Sequence, residues 1–453
     1  MRVPSLLPRG PGHHFVVYGD SCSGVPGAPH EKTLAAVNTA IGALDPPPHF
    51  VLFTGDEIAG LTPEAAALRA QWRHWLDREM AWLDRSRTPL WQTTSNHTTW
   101  DRESEFVFRD VLDHLPRNGP PGQEGLSYWV RRDDLLLVFV NTLWSGRGGE
   151  GYVETKWLRE VLGRHADARH KLVLGHHPVH PVNGFSGTWQ REINAEDSAD
   201  LWDSLVDHGV LAYVCGHILA FDVQVHRGVL QICTAGAGTA HRMPEGVEYL
   251  HFVQAALDAS GLRYQVIDVD GAVRETLAWP LAMPDPTDWK ALSPGRHDAL
   301  LTGGPFAGGL VGFRFRGRLT SADDGSAQTF LCAHGAGQPP LWIGLRGREQ
   351  RLAVIVGPQP GRSPHYWHGP ALGPPRHFDV TLLLHMGMGP GGMLYRVAGD
   401  PLWSSMTAAS PWGAERLCWP PRWSIGHAAR GSDDQPFRGD GLSVEGFADR
   451  GAA

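Results

Sequence analysis

One pattern recurs from residue 13 to residue 217: a continuous apolar run ends at a turn and a polar side chain, and most are separated by helical stretches. "HHFVVYGD" ends at Asp20, "HFVLFTGD" at Asp56, and "PLWQTTSNH" at Asn96 and His97. "HKLVLGHHP" delivers His176 and His177, and "VLAYVCGH" delivers His217; "LLLVFVNT" is a further run. Runs of this kind suit strands buried on both faces. "PHEKTLAAVNTAIGAL" and "PEAAALRAQWRHWLDREMAWLDRS" read as helices, the second with Trp72, Trp75, Leu76, Met80 and Leu83 at helical spacing. "ETKWLREVLGRHA" sets Trp157, Leu158, Val161 and Leu162 on one face. Strand–helix alternation predicts an α/β layered fold up to about residue 280. Sites in open α/β sheets form beyond the carboxyl ends of the strands, so these polar ends can converge.

The texture then changes. "PLAMPDPTDWKALSPG", residues 280 to 295, carries four prolines and reads as a linker. Beyond it "GFRFRGRLT", "LWIGLRG", "RLAVIVG", "FDVTLLLHM", "MLYRVAG" and "LSVEGFADR" alternate or run apolar between Gly and Pro turns. That pattern predicts an all-β sandwich. The expected division is 1–280, a Pro-rich linker at 281–295, and 296–453. A chain of 453 residues accommodates two or three domains with ample core.

Composition narrows the class. With 42% hydrophobic and 19% charged residues the chain reads as globular and soluble. No apolar run approaches the ~20 residues of a membrane span, and "MRVPSLLPRGPGHH" lacks the apolar core of a signal peptide. Five Cys without C-x-x-C spacing indicate neither a disulfide framework nor a zinc knuckle, so a reducing, cytoplasmic setting is expected. From residue 296 onward there are 15 Arg, no Lys and 12 acidic residues, a balance of +3; the whole chain carries −8, so the rest carries −11. An acidic first part argues against a nucleic-acid partner.

Two Asp, one Asn and at least two His make a mixed O/N donor set suited to a divalent transition metal (Zn, Mn or Fe) rather than Ca or Mg. Taken in order, the five motifs resemble the calcineurin-like metallophosphoesterase superfamily, which includes the purple acid phosphatases, over roughly residues 13 to 280. The resemblance implies two β-sheets packed face to face with helices outside, and hydrolysis of phosphomonoesters or phosphodiesters at two adjacent ions. Such a pair of cations holds both the attacking oxygen and the phosphoryl oxygens. It implies Asp56 as the bridging anion, and Asn96, His176 and His217 as the remaining ligands of the second ion. His97 matches the histidine that stabilises the phosphoryl group or protonates the leaving oxygen, work suited to a group titrating near neutrality. His177 is a second candidate catalytic histidine, with substrate contact and a supporting role both open.

The first ion is where the sequence departs. Asp-x-His of the superfamily reads Asp20-Ser21-Cys22, and Gly-His-x-His reads Gly216-His217-Ile218-Leu219. Asp20 remains a candidate ligand. Cys22 can bind as a thiolate, which favours zinc or iron, or serve as a small buried residue in a tight turn. Asp222, His226 and His241 are alternative replacements. One tightly held ion is therefore expected, with a small phosphorylated substrate. "GFSGTW", residues 184 to 189, is either a substrate-side loop or an ordinary connection. Most of the 18 Trp are expected in core or interface.

The end of the chain, "WSIGHAARGSDDQPFRGDGLSVEGFADR", resembles the closing hairpin of laminin-G-like, concanavalin A-like jelly-roll sandwiches, which implies a carbohydrate or protein ligand or a structural role. Asp433 and Asp434 read as a solvated loop rather than a calcium site. The leading expectation is metal-dependent phosphoester hydrolysis. The alternatives are a non-catalytic relative that binds metal or phosphate, and a carbohydrate-binding protein led by its sandwich.

Overall fold

The structure, a computed structural model, describes residues 3, 5–147, 149–182, 193, 195–238, 248–281, 286–293, 310–320, 325–335, 338–357, 364–373, 377–385, 388–408, 422–428 and 435–449. Residues 1–182, 186–223 and 229–281 make one compact unit, and 183–185, 224–228 and 282–453 make another. "GFSGTW", His241, Asp433 and Asp434 lie outside the described residues. Among those described, no helix is long and apolar enough to cross a membrane.

The first unit holds two six-stranded sheets. Its strands are β1 (Gly12–Tyr18), β2 (Val51–Phe53), β3 (Leu90–Gln92), β4 (Tyr128–Arg132), β5 (Leu135–Phe139), a small β6–β7 hairpin (Leu143–Trp144, Gly149–Glu150), β8 (His170–Leu174) and β9 (Ala212–Cys215). After them come β10 (Phe221–His226), β11 (Val229–Thr234), β12 (His251–Asp258), β13 (Gly261–Asp268) and β14 (Val273–Trp279). One sheet runs β14-β13-β12-β1-β2-β3 and the other β10-β11-β9-β8-β5-β4. In the first, β1, β2 and β3 are parallel. In the second, β5, β8, β9 and β11 are parallel. Phe15, Val17, Val253 and Ala255 of one sheet line a small apolar cavity together with Leu172, Ala212, Val214 and Ile232 of the other, so the sheets meet face to face.

Helices flank them: α1 (Pro29–Gly42), α2 (Ala65–His74), α3 (Arg102–Val111), α4 (Thr155–Arg164) and α5 (Ala195–Asp207). Pro29 opens α1, where its missing N–H costs nothing. The long helix expected from residue 63 to 86 departs from that reading. α2 ends at His74 and a π-helical turn, Trp75–Glu79, follows, closed by Met80 N–H donating to the Trp75 carbonyl at 2.9 Å. That extra residue lets Trp72, Trp75 and Met80 all bury fully despite their uneven spacing. α3 and α5 escaped the sequence reading. The start of α3 is nonetheless marked by a reciprocal cap between Asp101 and Ser104.

The second unit is all-β in its described residues apart from two single turns of 3₁₀ helix. Its strands are β15 (Lys290–Ala291), β16 (Leu310–Leu319), β17 (Gln328–Gly335), β18 (Gln338–Arg346), β19 (Arg351–Val356), β20 (His365–Ala371), β21 (His377–His385), β22 (Met393–Val397), β23 (Ser404–Ser405), β24 (Thr407–Ala408), β25 (Arg422–Ile425) and β26 (Gly439–Asp449). They form sheets ordered β15-β26-β16-β21-β22-β23 and β24-β20-β19-β18-β17-β25. Phe313, Phe315, Phe330, Ile343, Val354 and Leu382 from both sheets share one core, which makes the unit a sandwich.

Candidate metal centre

The parallel strands of the first unit deliver their polar residues at their carboxyl ends. Asp20 follows β1, Asp56 follows β2, Asn96 and His97 follow β3, His176 and His177 follow β8, and His217 follows β9. The backbone there is unusual. Nine described residues other than glycine have left-handed φ, and four belong here: Asp20 at 65°, Cys22 at 43°, Asp56 at 57° and His217 at 67°. Each such residue costs about 1–3 kcal/mol and persists only where its surroundings hold it. The holding bonds are visible. Asp20 N–H donates to the Gly55 carbonyl at 2.9 Å, Cys22 N–H to the Asp56 carbonyl at 2.6 Å, and His217 N–H to Asp20 Oδ1 at 2.9 Å. Glycine is required beside them: a Cβ on Gly216 would collide with Asp20 Oδ2, and Gly55, at φ 99°, would set one 2.7 Å from His176 Nδ1.

The second-ion residues converge. Asn96 Oδ1 lies 2.9 Å from His176 Nε2 and 3.1 Å from His217 Nδ1, and the two ring nitrogens are 3.2 Å apart. Asp56 Oδ1 is 3.4 Å from His176 Nε2. Donors bound at about 2.1 Å to one cation are separated by roughly 3.0–3.4 Å for octahedral to tetrahedral angles, so the Asn96, His176 and His217 atoms have close to the spacing of a ligand shell, with Asp56 Oδ1 beside His176. Their chemistry agrees. His176 Nδ1 is 2.8 Å from the Thr54 carbonyl, which only accepts, so Nδ1 carries the hydrogen and Nε2 turns its lone pair inward. A ligating histidine is oriented in this way by a carbonyl behind it. Burial holds His176 down at about 4, so the ring is neutral at pH 7. A neutral imidazole nitrogen facing an amide oxygen pairs acceptor with acceptor, an arrangement that a cation reconciles. The donor set therefore fits a divalent transition metal.

The carboxylates behave as a close pair. Burial, and then the Asp56 charge, push Asp20 well above the usual carboxylate range. Burial also raises Asp56, but His176, His97 and hydrogen bonds from Ser95 and the His97 amide outweigh it, and the result lies below the usual range. Glu57, next in the chain, is fully buried, and burial lifts it to about 8. Its carbonyl accepts from Ser21 Oγ at 2.7 Å and from Ser23 N–H at 3.0 Å.

Asp56 divides its oxygens. Oδ1 faces His176, while Oδ2 is 3.8 Å from Cys22 Sγ and 3.9 Å from His97 Nε2. Ligand atoms of Cys22, Asp56 and His97 all lie within 4.8 Å of one another, as do those of Asp20, Asp56 and His176. His97 Nδ1 donates to the Ala59 carbonyl at 2.7 Å, so Nε2 is the nitrogen available to the site; its side chain is 25% exposed. His177 is fully buried behind the other rings, with its centroid 5.0 Å from His176 and 4.5 Å from His217 and its Nδ1 2.7 Å from Thr142 Oγ1. Leu219 is buried. Asp222 joins neither ligand group among the described residues; it lies close enough to Cys233, Tyr264 and Glu275 to raise them. His226 Nε2 pairs with Gln224 Oε1 at 2.9 Å.

Sequence reasoning missed the groups behind these candidate residues. The Thr54 and Ala59 carbonyls act through the main chain and have no signature in side-chain identity. Glu79, at the end of the π turn, accepts from Ser23 Oγ at 2.5 Å and from Gly24 N–H at 3.0 Å. Its own carbonyl accepts from Asn38 Nδ2 at 3.0 Å, and Asn38 Oδ1 accepts from Tyr18 at 3.0 Å. The turn thus ties down the chain on both sides of Asp20.

No family model and no curated protein matches the chain. Solved structures do. A purple acid phosphatase, PPD1, from yellow lupin (Lupinus luteus) seeds is 13% identical with TM-score 0.43, over 60% of this chain and 54% of that one. A dimetal phosphatase from Danio rerio is 15% identical with TM-score 0.39, over 57% and 97%. On the C-terminal part, the CBM40 of the Ruminococcus gnavus IT-sialidase bound to α2,6-sialyllactose is 10% identical with TM-score 0.24, over 33% and 79%.

Proposed function

We propose that the chain hydrolyses a phosphoester, a phosphomonoester or phosphodiester of a small molecule, with a divalent transition metal held by Asp56, Asn96, His176 and His217. The observation that carries this reading is the convergence of Asn96 Oδ1, His176 Nε2 and His217 Nδ1 at 2.9–3.2 Å beside Asp56. A bound cation would supply positive charge to a phosphoryl oxygen. The protein supplies the rest. The Thr54 carbonyl orients His176, and Asp20 anchors the His217 amide. His177, packed against both ligand rings, keeps them in place. His97, fixed through Nδ1 by Ala59, presents Nε2 at the partly exposed edge, where the protonated ring can give its proton to the leaving oxygen.

One observation favours a second reading, a relative that binds metal or phosphate without turnover. Cys22 and Leu219 stand where the superfamily has two first-ion ligands. A broad panel of phosphoesters, with manganese or zinc, separates the two. In a hydrolase, His97→Ala should cut turnover by about 10²–10⁴-fold and leave metal content nearly unchanged, while His217→Ala should lower both. Metal-dependent phosphate binding without turnover of any panel member would replace the hydrolase with the binder.

A further inference from the structure

We propose that the cleft at the amino ends of β1, β2 and β3 binds a small monocarboxylate with a flat apolar body, of the aromatic-acid class. The proposal goes beyond the metal centre and does not depend on the hydrolase reading. His13 lies at the start of β1, His49 precedes β2, Trp82 and Arg87 precede β3, and Arg132 closes β4. Together they line a cavity of about 660 Å³, within the roughly 300–1,000 Å³ of small-molecule sites. Asp20 follows the other end of β1. That strand is seven residues long, so the cleft lies roughly 20 Å from Asp20 at about 3.3 Å per residue.

Three observations define the ligand. The half-buried Arg132 guanidinium lies over the Phe50 and Trp91 rings, 5.6 and 5.8 Å from their centroids, and its Nε is buried without a hydrogen-bond partner. Asp134 is engaged by His13 at 3.6 Å and Arg169 at 4.0 Å, and among the described residues no carboxylate pairs with Arg132. A planar guanidinium held on rings, with a buried N–H unmet, matches the edge of a carboxylate. The second observation is Trp82 Nε1, another buried donor without a partner. An indole N–H only donates, so it too is met by a ligand oxygen, while the ring, beside Leu44 and Leu83, gives the cavity an apolar wall. The third is the sign of the field. Burial holds His13 and His49 below the usual imidazole range, and the Arg132 charge lowers both further, against the pull of Asp134 on His13. His14 N–H points to His49 Nδ1 from 3.4 Å, which puts the hydrogen of the neutral His49 ring on Nε2 as a further donor. An anion relieves this crowding of donors and positive charge. Asp84 and Asp133 line the same cavity and oppose a second negative charge, which favours a carboxylate over a phosphate dianion.

The test is a calorimetric titration of the full chain with 2-naphthoate, beside its neutral analogue 2-naphthamide and inorganic phosphate. One equivalent of 2-naphthoate should bind, at least tenfold more tightly than either of the others. Arg132→Gln and Arg132→Lys should each weaken it at least tenfold, because lysine keeps the charge but not the planar fork. His217→Ala, which alters only the metal centre, should bind 2-naphthoate as the wild type does. In the unaltered protein 2-naphthoate should also shift the Trp82 indole N–H resonance, identified by its absence in Trp82→Phe, and this readout holds even where an Arg132 variant fails to fold. Equal binding of the amide, tighter binding of phosphate, unchanged binding in both Arg132 variants, no binding of 2-naphthoate or no shift of the Trp82 resonance overturns the proposal. Binding that disappears in His217→Ala overturns it as well, since the carboxylate would then sit at the metal centre.

Discussion

Glu79→Gln isolates the contribution of the Glu79 carboxylate to the loop after Asp20. The Glu79 side chain is 3% exposed and accepts from Ser23 Oγ and Gly24 N–H, so it fastens the loop that leaves Asp20 and Cys22 in left-handed backbone. Glutamine has nearly the same shape but only one acceptor oxygen. If that oxygen stays with Ser23, Gly24 N–H keeps only its longer 3.3 Å contact to it, and its shorter 3.0 Å partner becomes an amide donor. An unmet buried amide costs about 1–3 kcal/mol. At 1.4 kcal/mol per factor of ten, local opening should then become roughly 5- to 150-fold more frequent. Hydrogen exchange at Ser23 and Gly24 reads that factor directly, without assuming that the two units unfold as one. Removing the support behind a ligand typically costs about 10–100-fold in metal affinity, so retention under a mild chelator should fall as well. Exchange at these amides within twofold of wild type, in a folded protein, would show that the loop keeps its shape without the Glu79 carboxylate.

Two further expectations concern pH. His251 is fully buried and burial holds it at about 4, below the unfolded value of about 6.5, so the unfolded chain takes up a proton that the fold refuses. That contribution is complete above pH 6.5 and is lost as pH falls toward 4, at up to about 1.4 kcal/mol per pH unit. His251→Gln should flatten the fall in urea midpoint between pH 7 and pH 5, and an unaltered slope would contradict this. Asp258 is the opposite ionic case. A hydrogen bond from Ser260, then those from the Arg9 amide and Arg263, outweigh burial and hold its carboxyl well below the usual range. Its stabilisation is present above about pH 4, the unfolded value, and is lost as pH falls further. Asp258→Asn should lower the melting temperature at pH 7 by more than at pH 3, and an equal loss at both would assign the effect to packing.

The strand ends were legible because burial on both faces writes a continuous apolar run, and each run stops at a turn with a polar residue. That pattern located Asp20, Asp56, Asn96, His97, His176, His177 and His217 without any contact information. Left-handed φ at Asp20, Asp56 and His217 was not legible, since Asp and His adopt it only when neighbouring main chain compels them. The Thr54 and Ala59 carbonyls escaped for the same reason. α5 begins "AEDSADLWDSLVD", where acidic residues dilute the apolar stripe. The π turn was invisible because Trp72, Trp75, Leu76, Met80 and Leu83 satisfy helical spacing well enough on paper; only their simultaneous burial needs the extra residue. Among the described cysteines, Cys22, Cys215, Cys233 and Cys332 are buried.

Whether the departure at Leu219 is a loss of side chain or of backbone can be decided by Cys22→His combined with Leu219→His. The chain after His217 bends tightly: Ile218 N–H donates to the Gly216 carbonyl at 2.8 Å and Ala220 N–H to the Ile218 carbonyl at 2.7 Å, two successive three-residue turns. Leu219 sits at the centre of the second and is buried. Replacing a buried leucine with histidine forfeits about 1.5–3 kcal/mol of apolar burial, which a bound ion has to offset. Left-handed backbone at Asp20, Asp56 and His217 argues that it can, because conformations costing about 1–3 kcal/mol each are kept here only by a frame that still defines the strand ends. The double variant should retain one more ion per chain under a mild chelator, and hydrolysis of an aryl phosphate or phosphodiester should rise with manganese or zinc. No extra ion in a protein with unchanged circular dichroism would mean that the two tight turns point position 219 away from Asp20. The departure would then lie in the course of the chain, beyond repair by an imidazole.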